Sequence, residues 1–264
     1  MATTATISFL GTGSGFPSAD RFFSSTILHL GGCRLLLDAG EPCIHLLRDR
    51  NIPIEGIDAI LITHGHVDHI GGIPAFLQGA MLMGRRKPLP IHLPEEMIAP
   101  LRAWIGALYL TEEGFGFPVL WKAWEHGVPE ILDGGISVTP HANTHLEQAY
   151  RTVPGADPLR PCGSYSFEIL QGDFRAVFSG DLARADELST LLSIPTTLLV
   201  SELSHFSPEE LGAVLSGAPV TTLCLVHLSE EYVADRSELR VKLEEMLPQI
   251  RDVFLPEDGE VLDF

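Results

Sequence analysis

Short runs of apolar residues along the chain end repeatedly beside a residue with metal-binding or turn-forming chemistry. Each run is four to seven residues long, as expected for a buried β-strand, and is followed within three residues by such a group. The pairs are Ile7–Leu10 before Gly11, Arg34–Leu37 before Asp38, Ala59–Thr63 before His64, Phe174–Phe178 before Asp181, Thr197–Val200 before Glu202 and Val220–Val226 before His227. Because binding sites in open α/β sheets form beyond the carboxyl ends of strands, we expect these residues to share one rim.

Helical spacing and capping signals between these runs predict helices. Ile73–Met83 is apolar at helical spacing and should pack along the sheet. Ser207 and Glu210 form the pattern of a capping box, with proline at the first helical position between them. Ser237–Leu247 is predicted to form an amphipathic surface helix. The length and this mixture of elements predict one large α/β domain over residues 1–264.

The stretch Ile60–Gly72 carries four ligand-type side chains within six positions: His64, His66, Asp68 and His69. A lone histidine near a strand end is usually a satisfied polar residue, but four such groups packed without a metal would leave charges and lone pairs in an apolar setting. Residues two apart in an extended chain share a face, whereas adjacent residues point differently. The pattern therefore favours two metal ions, and its nitrogen and oxygen ligands suit zinc, manganese or iron.

This cluster and the motifs around it resemble the metallo-β-lactamase superfamily, and specifically its ribonuclease Z branch. The companion motifs are Leu10–Pro17, Leu37–Glu41 and Ser179–Asp181. The resemblance extends from about residue 7 to residue 232. It implies an αβ/βα four-layer sandwich and a metal-dependent hydrolase. The glycine-rich motif is not taken as a nucleotide fingerprint, because Asp38 better explains the acidic residue downstream.

The resemblance also implies a complete set of metal-binding residues. The family's third-motif histidine follows a strand, in a loop, and this selects His145, with His141 as the fallback. Asp38 matches an aspartate that supports a metal-bound histidine without binding metal itself. The implied ligands are His64, His66 and His145 for one ion, Asp68, His69 and His227 for the other, and Asp181 bridging both, with water or hydroxide in the remaining shared position. Zinc is the expected metal, with manganese and iron as alternatives.

Ser201–Glu210 resembles the ribonuclease Z segment that precedes the final ligand. By that match His205 is the general acid that protonates the departing oxygen, and Glu202 orients it. The alternative is that His205 merely caps or packs. Asp68 is also expected to position the attacking water. Two metal ions can activate that water and stabilise both the entering and the leaving oxygens, so the implied chemistry is hydrolysis at phosphorus.

Three stretches leave alternatives open. The basic run Gly84–Pro88 is either a phosphate clamp or a solvated turn, and the turn is favoured because a helix that begins at the metal rim descends to the opposite end. Aromatic residues within 94–135 are core, a dimer contact or one wall of the substrate pocket. Leu146–Gly163 reads as an inserted proline-containing loop that departs from the family pattern.

Charge bears on the substrate. The chain has 35 acidic and 17 basic residues, a net charge of −18, which repels polyanions. Ribonuclease Z enzymes that process precursor tRNA carry a basic arm, whereas the loop after His145 offers only Arg151 and Arg160. We therefore predict that RNA is disfavoured and that a small phosphodiester, such as a cyclic or short nucleotide, is the substrate. The alternatives are a tRNA 3′-processing endoribonuclease, an arylsulfatase or lactonase using the same metals, and an inert metal-binding paralogue.

The remaining sequence features concern location and assembly. No apolar run reaches the roughly 18 residues that span a bilayer. Residues 1–10 contain no positively charged region of the kind that begins a signal peptide, so we expect a cytoplasmic protein without membrane contact. The 4 cysteines are scattered and should be reduced thiols. The family resemblance implies a homodimer.

Overall fold

A computed structural model describes residues 4–16 and 18–264. Met1–Thr3, at the start of the stretch considered for a signal peptide, and Pro17, the last residue of the glycine-rich motif, lie outside the described residues. The described chain divides into two compact units. The N-terminal unit comprises Thr4–Glu125 with Glu257–Phe264, and the C-terminal unit comprises His126–Pro256. A single domain over residues 1–264 stays a prediction.

The N-terminal unit is built around a seven-stranded mixed sheet. In order across the sheet, its strands are β14 (Val261–Asp263), β1 (Ala5–Gly11), β2 (Ser25–Leu30), β3 (Cys33–Leu37), β4 (Ala59–Leu61), β5 (Leu89–Leu93) and β6 (Val119–Ala123). The pairs from β14 to β3 are antiparallel, and the pairs from β3 to β6 are parallel. The α-helices of this unit are α1 (Cys43–Asp49), α2 (Val67–Ile70), α3 (Ile73–Leu82), α4 (Glu95–Ala107) and α5 (Glu112–Phe115).

The register of β3 against β4 brings the ends of these strands together. Leu37 of β3 pairs with Leu61 of β4, and the N–H of the next residue, Asp38, donates to the carbonyl of Leu61 over 2.9 Å. Strand β4 is fully buried, which fits its continuous apolar sequence. The chain therefore leaves both strands at the same edge of the sheet, immediately before Asp38 and before the histidine cluster.

The C-terminal unit contains a second seven-stranded mixed sheet. Its strands, in order across the sheet, are β13 (Asp252–Phe254), β12 (Val220–Leu228), β11 (Thr196–Leu203), β10 (Phe174–Phe178), β9 (Tyr165–Gln171), β8 (Ile136–Ala142) and β7 (Glu130–Leu132). The pairs from β13 to β10 are parallel, and the pairs from β10 to β7 are antiparallel. The α-helices of this unit are α6 (His145–Arg151), α7 (Pro208–Leu215), α8 (Glu230–Ala234) and α9 (Arg236–Met246).

Several predicted helices agree with the structure. Helix α3 ends one residue before the predicted Met83, and α9 is shifted by one residue at each end. The capping box at the start of α7 is confirmed: the Ser207 hydroxyl accepts from the Glu210 N–H over 3.2 Å, and a Glu210 carboxylate oxygen accepts from the Ser207 N–H over 2.8 Å. No helix in the described part of the chain has the length and apolar character that a membrane span requires.

Two strands extend further than their apolar runs predict. Strand β11 continues to Leu203, so Glu202 lies inside it, and β12 continues to Leu228, so His227 lies inside it. The reason is that the parallel pairing of β11 with β12 persists beyond the apolar residues, with a register shift after Glu202. Segment 146–163 also differs from the predicted loop, because its first part belongs to α6.

The basic run after α3 is exposed at every residue except Arg85, so the prediction of a solvated turn holds for the run but not for Arg85. Arg85 is only 1% exposed. Its guanidinium donates to the carbonyls of Lys87 and Pro88, and it lies 5.6 Å from the ring centroid of Phe117. A buried guanidinium has five N–H donors to satisfy, and backbone carbonyls accept four hydrogen bonds from this one. Arg85 is therefore a structural residue of the N-terminal unit.

The aromatic segment combines core and surface residues. Phe115, Phe117 and Trp124 are buried, and the indole N–H of Trp124 donates to the Ile62 carbonyl over 2.9 Å. Tyr109, by contrast, is 96% exposed. The core interpretation therefore holds for the three buried rings, while exposed rings such as Tyr109 leave a dimer contact open.

Candidate metal centre

In the N-terminal unit, the chain leaves β4 and turns through the four predicted ligands before α2. His66 is the extended residue that precedes this helix. The turn brings the ring centroids of His64 and His69 to 4.1 Å, and Nε2 of His64 to 3.0 Å from Nδ1 of His66. Oδ2 of Asp68 lies 3.3 Å from Nε2 of His69. The four predicted ligands of this unit therefore lie side by side, and all but His66 are buried.

Asp38 supports this cluster through hydrogen bonds to His69 and Thr63. Its backbone has a φ of 55°, a left-handed conformation that aspartate adopts more readily than most residues. Its Oδ2 accepts from Nδ1 of His69 over 2.7 Å, and its Oδ1 accepts from the Thr63 N–H over 2.8 Å. With the proton on Nδ1, the lone pair of His69 is on Nε2, as a metal ligand requires. This is the contact that the predicted supporting role of Asp38 needs.

Thr63 is a supporting residue that the sequence reasoning missed. Its hydroxyl oxygen lies 3.0 Å from Nδ1 of His64 and 2.9 Å from Oδ2 of Asp38. The imidazole N–H of His64 can donate to this hydroxyl while the hydroxyl donates to Asp38, which places the His64 lone pair on Nε2. The signal available in the sequence is a hydroxyl residue directly before a ligand histidine.

The C-terminal unit gathers the remaining predicted ligands around Asp181, which follows β10. Nε2 of His145 lies 3.7 Å and Nε2 of His227 lies 3.5 Å from the same oxygen, Oδ2 of Asp181. These separations exceed the usual N–H···O hydrogen-bond range of about 2.7–3.2 Å. Ligands about 2.0–2.2 Å from a tetrahedral zinc ion lie roughly 3.3–3.6 Å apart. The His227 separation falls within this range and the His145 separation lies just beyond it, so the spacing is close to that of ligands around a shared metal ion.

His145 and His227 reach this position by different means. His145 is the first residue of α6, not a loop residue as the family pattern suggests. His227 lies where the register of β12 against β11 skips one residue, and its φ is 51°. A bulge of this kind re-aims a side chain, and the left-handed backbone stores strain that the surrounding strands must hold. Nδ1 of His227 lies 2.9 Å from the Ser204 hydroxyl, so Nε2 is the atom that faces Asp181.

Glu202 and His205 form a pair beside this cluster. Nδ1 of His205 lies 2.8 Å from both carboxylate oxygens of Glu202, and the carboxylate also accepts from the N–H groups of Leu182 and Ser204 over 2.7 and 2.9 Å. Glu202 is buried, whereas 35% of the His205 side chain is exposed. The His205 ring lies 4.7 Å from that of His145, measured between centroids. A fixed carboxylate thus orients a histidine that solvent can reach.

Ser204 is the second supporting residue that sequence reasoning did not single out. Its hydroxyl contacts Glu202 over 3.0 Å, His227 over 2.9 Å and His205 over 3.1 Å. Its only sequence signal is its position between the glutamate and the histidine. The hydroxyl thus connects Glu202 and His205, the proposed acid pair, with the predicted ligand His227 in one hydrogen-bond network.

The fallback histidine lies elsewhere. His141 belongs to β8, and its Nε2 lies 3.9 Å from Oε2 of Glu168. Glu168 is itself bound to Arg175 over 2.7 Å, and the His141 ring lies 6.0 Å from that of His126, measured between centroids. Burial lowers the pKa of His141 below its ordinary value, an effect that the charge of Glu168 opposes. The geometry of the C-terminal unit therefore favours His145 over His141.

The chemistry of the donors fits divalent metal ions. Imidazole nitrogens and carboxylate oxygens are the ligand types of zinc sites. In the C-terminal unit, Asp181, Glu202, His205 and His227 each offer one donor atom within 4.8 Å of the others. The carboxylate of Glu202 already accepts several protein N–H groups, which favours an orienting role for it. Burying such donors without a cation would cost free energy.

Comparison with known proteins identifies the family. A family model described as anti-Pycsar protein Apyc1 matches residues 5–205. The chain belongs to this family. An anti-Pycsar protein Apyc1 of Bacillus phage vB_BveM-Goe7 is 36% identical over 102 residues, which are 38% of this chain and 39% of that protein. A ribonuclease Z of Exiguobacterium sp. is 32% identical over 278 residues, covering 88% of this chain and 91% of that protein.

A solved structure supports the fold. The metallo-β-lactamase fold protein YhfI from Bacillus subtilis has a TM-score of 0.78 and 22% sequence identity, covering 99% of this chain and 100% of that chain. The α/β metallo-β-lactamase fold and the ribonuclease Z-like branch, both predicted from the sequence motifs, are confirmed. The chain is a ribonuclease Z-like, metal-dependent hydrolase that binds divalent metal. The ribonuclease Z relatives conflict with the prediction that RNA is disfavoured.

Proposed function

We propose that this Apyc1-family chain is a phosphodiesterase that uses two zinc ions. The proposed ligands are His64, His66 and His145 for one ion, Asp68, His69 and His227 for the other, and Asp181 for both. The observation that carries the proposal is the position of two imidazole Nε2 atoms 3.7 and 3.5 Å from one oxygen of Asp181. In the N-terminal unit, the contacts of Asp38 with His69 and of Thr63 with His64 also agree with the proposal, because metal-bound histidines usually have such a hydrogen-bond partner.

Different side chains would then have different roles in hydrolysis. When bound, two divalent ions polarise the phosphoryl group and make water a stronger nucleophile at neutral pH. Asp68 positions the attacking water in addition to binding metal. His205, in its doubly protonated imidazolium form, donates the Nε2 proton to the departing oxygen, while its Nδ1–H stays bound to Glu202. The exposed part of the His205 ring makes this atom accessible to a substrate.

A small phosphodiester, such as a cyclic or short nucleotide, is the proposed substrate. Both basic side chains of segment 146–163 are engaged inside that segment. Arg151 pairs with Glu147 over 3.0 Å and donates to the Pro158 carbonyl over 2.8 Å. The guanidinium of Arg160 lies 5.6 Å from the ring centroid of Tyr150. The net charge of the chain is −18. This charge and the engaged arginines favour a substrate with few phosphates over an RNA, whose binding draws on many phosphate contacts.

Processing of the 3′ end of precursor tRNA is the second candidate. The similarity to a ribonuclease Z over nearly its whole length favours this candidate. A second subunit could supply phosphate contacts that one chain lacks, so the proposed homodimer bears on the choice. The homodimer and the cytoplasmic location both stay predictions.

The two candidates differ in turnover at physiological salt. We expect the purified protein to hydrolyse a cyclic or short nucleotide faster than it cleaves precursor tRNA. Asp181→Ala, prepared in parallel, controls for contaminating nucleases. A tRNA-processing enzyme would also show a steep fall in RNA affinity as salt rises. Efficient, accurately placed 3′ cleavage of precursor tRNA would overturn the small-substrate proposal and put the second candidate first.

A further inference from the structure

Phe16 is an aromatic residue at the surface of the N-terminal unit. It ends the glycine-rich loop, Gly11–Phe16, and 74% of it is exposed. Single exposed apolar residues are common and usually need no explanation. What distinguishes Phe16 is the position and the anchoring of the loop that carries it.

The loop is anchored by the C-terminal segment of the same unit. One oxygen of Asp258 accepts from the N–H and the hydroxyl of Thr12 over 2.9 and 2.7 Å. The other oxygen of Asp258 accepts from the Phe22 N–H over 2.6 Å, and the Phe22 carbonyl accepts from the Gly13 N–H over 2.7 Å. Burial raises the pKa of Asp258, and these donors oppose that effect. The base of the loop is thus fixed by hydrogen bonds at several points.

The tip of the loop lies against a predicted metal ligand. A Cβ atom added to Gly15 would lie 3.3 Å from Oδ2 of Asp68. The backbone immediately before Phe16 therefore lies close to the carboxylate that we propose binds metal and positions water. Phe16 is the next residue along the chain, and little of it is covered by protein.

We propose that Phe16 is a specificity-determining residue, a platform on which the base of a nucleoside phosphodiester stacks while its phosphate is held at the metal ligands. This inference rests on the proposed function and specifies its substrate class. Stacking on an aromatic side chain is tolerant of base identity, because every base has a π-face. The anchored loop lowers the entropy lost on binding, since the base of the loop that carries the ring is already held by hydrogen bonds.

The test compares a substrate with a base and one without. The substrates are a cyclic nucleotide and the matching cyclic phosphate of 1-deoxyribose. Phe16→Ala should lower kcat/KM for the cyclic nucleotide by roughly fivefold to a hundredfold and change the base-free substrate less than about twofold. Phe16→Trp should retain activity on both. Leu82→Ala, at a residue that is also 74% exposed but at the end of α3, is the matched control and should change neither.

The outcomes separate this assignment from the proposed function. Wild-type enzyme inactive on both substrates refutes the proposal of a small phosphodiester substrate, and the platform with it. Wild-type activity with no loss in Phe16→Ala, or with equal losses on the two substrates, refutes only the platform. Metal content and thermal unfolding of Phe16→Ala should match the wild type, because an exposed ring contributes little to packing.

Discussion

The two units carry their candidate metal ligands in different ways. In the N-terminal unit the ligands are contiguous, from His64 to His69, and one turn between β4 and α2 brings them together. In the C-terminal unit they come from separate elements: His145 begins α6, Asp181 follows β10, and His227 lies in a bulge of β12. A local cluster needs only a correct turn, whereas a dispersed cluster needs the whole sheet in register.

The supporting contacts differ in the same sense. In the N-terminal unit a carboxylate, Asp38, accepts directly from the ring nitrogen of His69. In the C-terminal unit a hydroxyl, that of Ser204, contacts the ring nitrogen of His227. Hydrogen bonds to an ionised group are roughly twice as strong as those between neutral groups. The dispersed cluster should therefore depend more on strand pairing and less on any single supporting side chain.

The largest expected effect comes from removing the residue around which the dispersed cluster is arranged. We predict that Asp181→Ala abolishes both metal loading and turnover, because the proposed bridging carboxylate serves both ions. Elemental analysis of the purified variant, beside a steady-state assay, measures the two losses. His141→Ala is the matched control and should change metal content and turnover only slightly, since His141 lies on β8 beside Glu168.

Full metal content in Asp181→Ala would reject the bridging assignment. Thermal unfolding of the wild type and the variant in the presence of a chelator separates loss of metal from loss of fold. Similar curves under those conditions would attribute the metal loss to the missing carboxylate.

The next effect concerns the acid pair of the C-terminal unit. If His205 supplies the leaving-group proton, His205→Ala should lose about 10²–10⁴-fold in rate on substrates with poor leaving groups. Activated aryl phosphodiesters need no proton and should lose much less. Rates for both substrate types, with metal content as the control, test the assignment. Equal losses on both types, or a reduced metal content, would remove the general-acid role.

The sequence predicts the local cluster better than the dispersed one, for a physical reason. A strand followed by ligands at alternate positions brings them together through local geometry alone, so the pattern from His64 to His69 can be read directly. Asp181 could be located because its apolar run ends close before it. His227 could be named but not placed, since its orientation comes from a bulge that only the pairing of β11 with β12 creates.

Other features lay outside what residue patterns report. Arg85 looked like part of a solvated basic turn, but its guanidinium also donates to the carbonyl of Ile54, 31 positions away, and no local signal records that contact. The helix that begins at His145 was missed because the family pattern suggested a loop. Ser204 and Thr63 act through side-chain contacts with residues up to 25 positions away, which depend on the tertiary fold.

The smallest effects should come from the two supporting side chains, and their difference tests the comparison between the units directly. Asp38→Asn keeps the shape of the side chain but removes its charge and presents either an amide oxygen or an N–H₂ to His69. We predict a loss of about 10–100-fold in metal affinity, the usual range for such supporting groups. Ser204→Ala should lose less than about tenfold, because it removes a neutral hydroxyl while the strand pairing still holds His227.

Chelator competition on the two purified variants measures both losses on one scale. The N-terminal variant should be the weaker binder, and both should unfold cooperatively like the wild type. The C-terminal variant carries a further expectation, because the Ser204 hydroxyl also contacts Glu202 and His205. Its rate on substrates with poor leaving groups should fall more than its metal affinity. Equal or reversed affinity losses would show that the hydroxyl supports its histidine as strongly as the carboxylate does, and would end the distinction between the two units.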